Sequence, residues 1–201
     1  VMATIAIEGP IGVGKTSLTH LLAKELDARV VLEVVEENPF LPRFYEDPAR
    51  WAFDVQTFFL LSRFKQSQEQ AQGDLFARHT VADYLFEKDW IFASLNLTGD
   101  EWDLYRSLYA TLQPKLTPPD QVVYLRADPE VLLPRIAKRG RSFEESIDPR
   151  YLARLGEAYD AFFETYANAF VVIDAADVDF VASAEDRAEV LRRILAPVKA
   201  A

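Results

Sequence analysis

The sequence contains no cysteine, which excludes disulfides, thiolate zinc sites and a cysteine nucleophile. That absence fits a reducing, cytoplasmic setting, and we expect the protein to act there. Long apolar runs are also missing: the longest are a few residues, far short of the roughly 20 that a membrane-spanning helix needs. No basic stretch leads into an apolar core and a cleavage site near the start, so no secretion signal is expected. Basic residues are scarce, with 22 Lys and Arg against 32 Asp and Glu and a net charge of −10. Long-range repulsion then argues against nucleic acid or an anionic membrane as the main partner. Any cation that binds an anionic substrate must be placed locally.

What is present is enough for a buried core: half of the residues are apolar. No internal repeat, low-complexity tract or linker interrupts the chain, so residues 1–201 are expected to form one domain. Strands are expected near 3–8, in "ARVVLEVVEEN", in "ARHTVADY", in "QVVYLRA" and in "AFVVIDA". Helical patterns fall between them, near 15–27, 48–72, 86–95, 101–116 and 148–167, and a last helix closes the chain. Asp128-Pro129 is a helix start signal and Gly140 a stop. Pro134 falls inside that helix, where it removes a hydrogen bond and costs roughly 3 kcal/mol if uncompensated. Short apolar strands alternating with helices predict an α/β fold with a five-stranded parallel sheet covered on both faces.

The first strand and helix are joined by "EGPIGVGKTS". Gly9, four residues, then Gly14, Lys15 and Thr16 complete the phosphate-binding loop in the strand–loop–helix context its mechanism needs. The glycines let backbone N–H groups turn toward phosphate oxygens, and the helix N-terminus adds partial positive charge. Lys15 would bridge the outer phosphates and the Thr16 hydroxyl would ligate Mg²⁺. A nucleoside triphosphate is therefore expected along Gly9, Pro10, Ile11, Gly12, Val13, Gly14, Lys15, Thr16 and Ser17. No Asn-Lys-x-Asp base reader of a GTPase occurs, and Arg126 stands where a transport ATPase would end a strand with an acid. Small kinases remain, and they need a lid and a second pocket.

"PRIAKRGRSFEE" supplies the local charge. Arg135 and Arg139 share a helix face, with Lys138 and Arg141 beside them; forked guanidinium bonds suit a transferring phosphoryl group. A solvated basic face paired with Glu144 and Glu145 is the alternative. Glu33 is expected to end the second strand, at the carboxyl edge where open parallel sheets bind ligands. There it could take a proton from an acceptor hydroxyl. Glu36 and Glu37 lie just beyond it and are expected to be solvated. Gln56 and Arg63 are seven residues apart on one helix face with Phe59 and Leu60 between them. That arrangement suits a nucleobase, Arg63 matching guanine O6 and N7. It equally suits a half-exposed helix face, and spacing does not separate the two.

"IEGPIGVGKTSL", "EVVEENPFLPRFYEDPARWAFDVQTFFLLSRFKQ", "ADYLFEKDWIFA" and "RIAKRGRSFEESIDPRYL", in this order and spacing, resemble the deoxynucleoside kinases over nearly the whole chain. The second and third segments look most like the bacterial deoxyguanosine kinase branch. The resemblance implies ATP-dependent phosphorylation of a purine deoxynucleoside at its 5′-hydroxyl in nucleotide salvage, deoxyguanosine before deoxyadenosine. It implies Mg²⁺ as cofactor and a homodimer, for which the apolar helices near 86–116 are the candidate interface.

By the same resemblance, Glu33 would be the general base, Tyr45 and Glu144 would hold the sugar 3′-hydroxyl, and Gln56 would read the base edge. Arg63 would approach the base, Phe92 would stack near it, and Arg135, Arg139 and Arg141 would close over the phosphates. Catalysis would rest on Glu33, Asp83, Lys15 and Arg139. One departure stands out: much of the family follows an acid here with Arg and Ser, whereas this chain has Asp83, Tyr84 and Leu85. Asp83 could join Thr16 on Mg²⁺ or compete with Glu33 as base. The spacing admits Lys88 or Asp89 opposite Arg63; Asp89 is the expected orienting acid and Lys88 a candidate for the lost positive charge. The alternatives are a nucleoside monophosphate kinase, which the acidic strand end disfavours, and a nucleotide-bound regulatory subunit without turnover.

Overall fold

A computed structural model describes residues 3–35, 37–71, 79–141, 144 and 147–198. Glu36, Glu145 and the first two residues of "ARHTVADY" lie outside the described residues. The strands β1 (Ala3–Glu8), β2 (Arg29–Val31), β3 (His79–Ala82), β4 (Gln121–Arg126) and β5 (Phe170–Asp174) form one sheet of order β2-β3-β1-β4-β5. Every pairing in it is parallel. The five-stranded parallel sheet expected from the sequence is present.

Alternation along β1 explains how the sheet is covered. Ile5 and Ile7 face one layer, where Leu18 and Leu22 of α1 (Lys15–Leu26) and Val190 and Ile194 of α8 (Ala184–Val198) pack on them. Ala6 faces the other, against Ile91 of α4 (Lys88–Asn96) and Leu155, Tyr159 and Phe163 of α7 (Pro149–Glu164). A strand buried on both faces needs apolar residues at consecutive positions, which residues 5–7 of β1 and 122–125 of β4 supply.

Several boundaries differ from expectation. The second strand stops at Val31, so Glu33 lies beyond it: the Glu33 N–H donates to the Asp83 carboxylate (2.6 Å) rather than to a strand neighbour. A short helix α2 (Leu41–Glu46), with Pro42 in its first turn, precedes α3 (Pro48–Ala71). The 101–116 pattern resolves into α5 (Gly99–Leu112) and a 3-10 turn at Gln113–Lys115. Pro134 is accommodated inside α6 (Pro129–Arg139), which ends at Gly140 with φ 68°. The apolar stripe of α5 is used inside the chain: Tyr105 and Tyr109 are buried with Phe86, Leu60 and Phe44 in a third core beside the sheet. Among the described residues, no helix is long and apolar enough to cross a membrane.

Candidate active site

The loops after β1 and β3, and the segment after β2, meet at the carboxyl edge of the sheet and line a cleft of about 990 Å³. The cleft runs from the phosphate loop to Gln56, Phe59 and Asp89 at its far end. Two glycines explain why the loop can close so tightly. Gly9 has φ 152°, and a Cβ there would lie 2.2 Å from the Leu125 carbonyl; Gly12 has φ 84° and presses on Ile136 of α6.

Lys15 folds back on the loop, donating to the carbonyls of Gly9 (2.7 Å) and Pro10 (3.1 Å). Burial lowers its ammonium to about 8, with repulsion from Lys88 adding to the effect, against the pull of Glu8, Glu33 and Asp83. A polyanion at the loop must reverse that shift. Near pH 7 Lys15 already carries its proton, whereas near pH 9 the free protein has mostly lost it. ATP binding in EDTA should therefore take up close to one proton at pH 9, and this uptake by Lys15 should fade as the pH is lowered to 7. Titration calorimetry in buffers of different ionisation enthalpy reads this directly, and buffer-independent heats at pH 9 would contradict it.

The Thr16 hydroxyl donates to Asp83 Oδ2 (2.7 Å), and Asp83 Oδ1 accepts the Glu33 N–H. Asp83 thus bridges the start of α1 and the backbone of Glu33. Its two hard oxygens beside the Thr16 hydroxyl are of the kind Mg²⁺ selects. Among the described residues, no group of three or more His, Cys, Asp or Glu is arranged to hold a metal ion.

Glu33 sits between two cations. Oε1 is bonded to Arg63, Oε2 accepts from Lys88 (2.6 Å), and Arg63 also bonds Asp89. The line Asp89–Arg63–Glu33–Lys88 is almost wholly buried, Arg63 being 3% and Asp89 1% exposed. Burial alone pushes a carboxyl up, but Arg63 and Lys88 outweigh it and hold Glu33 well below the usual carboxylate range. Asp89 and Lys88, which the sequence offered as alternatives, both take part: Asp89 orients Arg63, and Lys88 faces Glu33.

The expected base-reading residues are brought together, in altered roles. Gln56 is buried on α3, and its Oε1 has no hydrogen-bond partner; neither has Asp89 Oδ2. The terminal nitrogens of Arg63 are bound to Glu33 and Asp89, and its Nε has no hydrogen-bond partner, so the fork expected to meet guanine O6 and N7 is turned onto the two carboxylates. The guanidinium lies over the Phe59 ring (4.9 Å), and Phe92 lines the cleft beside Lys88. Tyr45 also lines it; burial, with Tyr151 and Glu144 adding, pushes its hydroxyl up, so it stays protonated.

The lid cations are held rather than free. Arg139 donates to Glu144 through Nε (3.0 Å) and Nη2, and Arg141 Nη1 lies 3.5 Å from the same carboxylate. Arg135 staples the Val13 carbonyl (3.3 Å) of the phosphate loop to the Ala175 carbonyl (2.9 Å) after β5. Closure over phosphate would require Arg139 and Arg141 to exchange Glu144 for phosphate oxygens.

One residue escaped the sequence reading. Glu8, fully buried, accepts from Gly9 N–H, Leu85 N–H and the Tyr159 hydroxyl, each at 2.8 Å. It ties the phosphate loop to the segment that carries Asp83 and Lys88. A lone acid closing the apolar run "ATIAIE" is the signal that could have found it.

Comparison with known proteins adds a separate line. Residues 5–199 match the family described as "Deoxynucleoside kinase". A deoxyguanosine kinase of Bacillus subtilis is 35% identical, over 97% of this chain and 95% of its own length. A deoxyguanosine kinase of Lactobacillus johnsonii is 37% identical (98% and 93%), and a deoxyadenosine kinase of Lactobacillus acidophilus 34% identical (94% and 94%). Among solved structures, a deoxyadenosine kinase from M. mycoides with dCMP and dCDP superposes with TM-score 0.84 at 27% identity, covering 98% of this chain and all of that one.

Proposed function

The chain belongs to the deoxynucleoside kinase family, and from that premise we propose that it transfers the γ-phosphoryl group of ATP to the 5′-hydroxyl of a purine deoxynucleoside, deoxyguanosine before deoxyadenosine. The observation that carries the purine reading is the pair of unpartnered acceptors at the cleft's far end, Gln56 Oε1 and Asp89 Oδ2. A buried acceptor without a donor is costly. Guanine presents two donor groups on one edge, N1–H and the 2-amino group, whereas adenine presents its 6-amino group alone. Phe59 and Phe92 supply the apolar wall.

In this reading the deoxyribose lies between Tyr45 and Glu144, and its 5′-hydroxyl points at Glu33. Glu33 is ionised throughout the working pH range, so it accepts the hydroxyl's hydrogen bond and orients its lone pair toward phosphorus. A loose transition state forms little bond to the nucleophile before the leaving group departs, so a strong base is unnecessary. Lys15 holds the donor phosphates, and Arg139 and Arg141 reach the transferring group after leaving Glu144. Thr16 and Asp83 would hold Mg²⁺, which neutralises phosphate charge when bound. An acceptor that already carries a phosphate would bring its charge against Glu33, Asp83 and Asp89, which disfavours it. Assembly as a homodimer is part of the same proposal.

The test is ADP release from Mg-ATP with deoxyguanosine, deoxyadenosine, deoxycytidine, thymidine, guanosine and dGMP in parallel. Turnover with deoxyguanosine exceeding deoxyadenosine, and little with guanosine or dGMP, is expected. Turnover with dGMP alone would instead mark a monophosphate kinase, and pyrimidine preference would remove the Gln56 and Asp89 reading.

A further inference from the structure

We propose that Lys88 is a catalytic residue: its ammonium holds Glu33 in the free protein and turns to the transferring phosphoryl group once the acceptor hydroxyl takes its place on Glu33. The inference rests on the kinase reading above and assigns a residue that the reading leaves unused.

Lys88 is the first residue of α4, where the helix dipole is positive and a cation is disfavoured. It is 7% exposed, so its ammonium also forgoes most of its hydration. It stands close enough to Lys15 for the two to repel, and that repulsion helps to lower Lys15. Helix stability therefore does not explain a lysine here. The charged groups that line the cleft with it are Lys15 from α1, Glu33 after β2, Arg63 from α3, Asp83 after β3 and Asp89 from α4 itself. Glu33 balances Lys88 in the free protein, and a phosphoryl group arriving beside the phosphate loop would bring a second anion within reach of both ammonium groups.

The geometry gives Lys88 the means to exchange. Its bond to Glu33 Oε2 (2.6 Å) uses one of three donors. Oε2 is also the oxygen left for a hydroxyl, since Oε1 is held by Arg63. As the hydroxyl docks on Oε2, the Lys88 ammonium, which lies 5.5 Å from the Phe92 ring centroid, swings away and donates to an equatorial phosphoryl oxygen. The bond from O5′ to the γ-phosphorus forms while the bond to the bridging oxygen breaks, its electron pair leaving on ADP. The hydroxyl proton passes to Glu33 Oε2 and from there to solvent. Arg63 keeps Glu33 in position meanwhile.

The test compares Lys88→Met and Lys88→Arg with the wild type, measuring kcat, KM for deoxyguanosine, KM for ATP, and binding of Mg-ATP. Lys88→Met should lose about 10²–10³-fold in kcat, the usual cost of one donor to transition-state charge. Both KM values should stay within about threefold and Mg-ATP should still bind, because without the acceptor Lys88 stays on Glu33, and its bond to the phosphoryl oxygen strengthens as charge develops there. Lys88→Arg should recover most of the lost kcat. A Lys88→Met enzyme with wild-type kcat would overturn the inference and leave the kinase reading intact. Loss of Mg-ATP binding or a large rise in KM in both variants would make Lys88 structural and overturn it as well. A wild-type protein that phosphorylates no nucleoside would overturn the kinase reading, and this inference with it.

Discussion

Glu33→Gln lowers kcat for deoxyguanosine phosphorylation by about 10²–10⁴-fold, the range for losing a positioned proton acceptor, and leaves Mg-ATP affinity within about threefold. The two halves of that result come from geometry. The Glu33 carboxylate binds Arg63 and Lys88 and acts on Lys15 of the phosphate loop only across space. An amide in its place cannot take the hydroxyl proton. It also turns an N–H₂ group toward one of two cations, so the hydroxyl finds either no acceptor or a misplaced one. Steady-state kinetics with deoxyguanosine, paired with fluorescence binding of a nucleotide analogue, reads both halves. Retained turnover would remove Glu33 from the reaction and return attention to Asp83.

The second large effect is on stability. Arg63→Met deletes a guanidinium that is 3% exposed and bonded to two buried carboxylates. The variant keeps roughly the stem volume but leaves Asp89 with no cation and Glu33 with Lys88 alone. Breaking a buried pair by removing one partner costs about 3–5 kcal/mol, and in a domain of this size each kcal/mol moves Tm by about 2–4 °C. A fall in Tm of roughly 6–20 °C is expected. The double variant Arg63→Met with Asp89→Asn should recover part of that loss, because the stranded charge is gone. Additive losses in the double variant would show that Arg63 acts by packing on Phe59 rather than by neutralising Asp89. Calorimetric unfolding of the three variants separates these outcomes.

The legibility of the site follows a physical divide. The phosphate loop could be read in full because its chemistry is local: Gly9, Gly14, Lys15 and Thr16 are fixed relative to one another by one turn and one helix start. The sheet could be read because β1 and β4 are apolar at consecutive positions, a pattern that only double-sided burial produces. Partnerships across elements could not. Arg63 is 30 residues from Glu33 and 26 from Asp89 in the chain, and helical spacing alone leaves its fork free for a base. The short β2 was over-extended for a related reason: "VVLEVV" has strand propensity to spare, but the Glu33 N–H finds Asp83 across the cleft instead of a ladder partner. The short α2 was missed because Pro39 and Pro42 mask its six residues. Lys88 and Asp89 stayed ambiguous until the start of α4 set both within reach of the Glu33–Arg63 line.

Phosphorus NMR of a reaction containing the protein, Mg-ATP and deoxyguanosine tests the central claim most directly. The account predicts one new monoester resonance, coupled to the two H5′ protons and growing in equal amount with ADP. ADP accumulating with inorganic phosphate and no such resonance would contradict it, since the γ-phosphoryl group would then be passing to water and not to the hydroxyl that Glu33 is placed to hold.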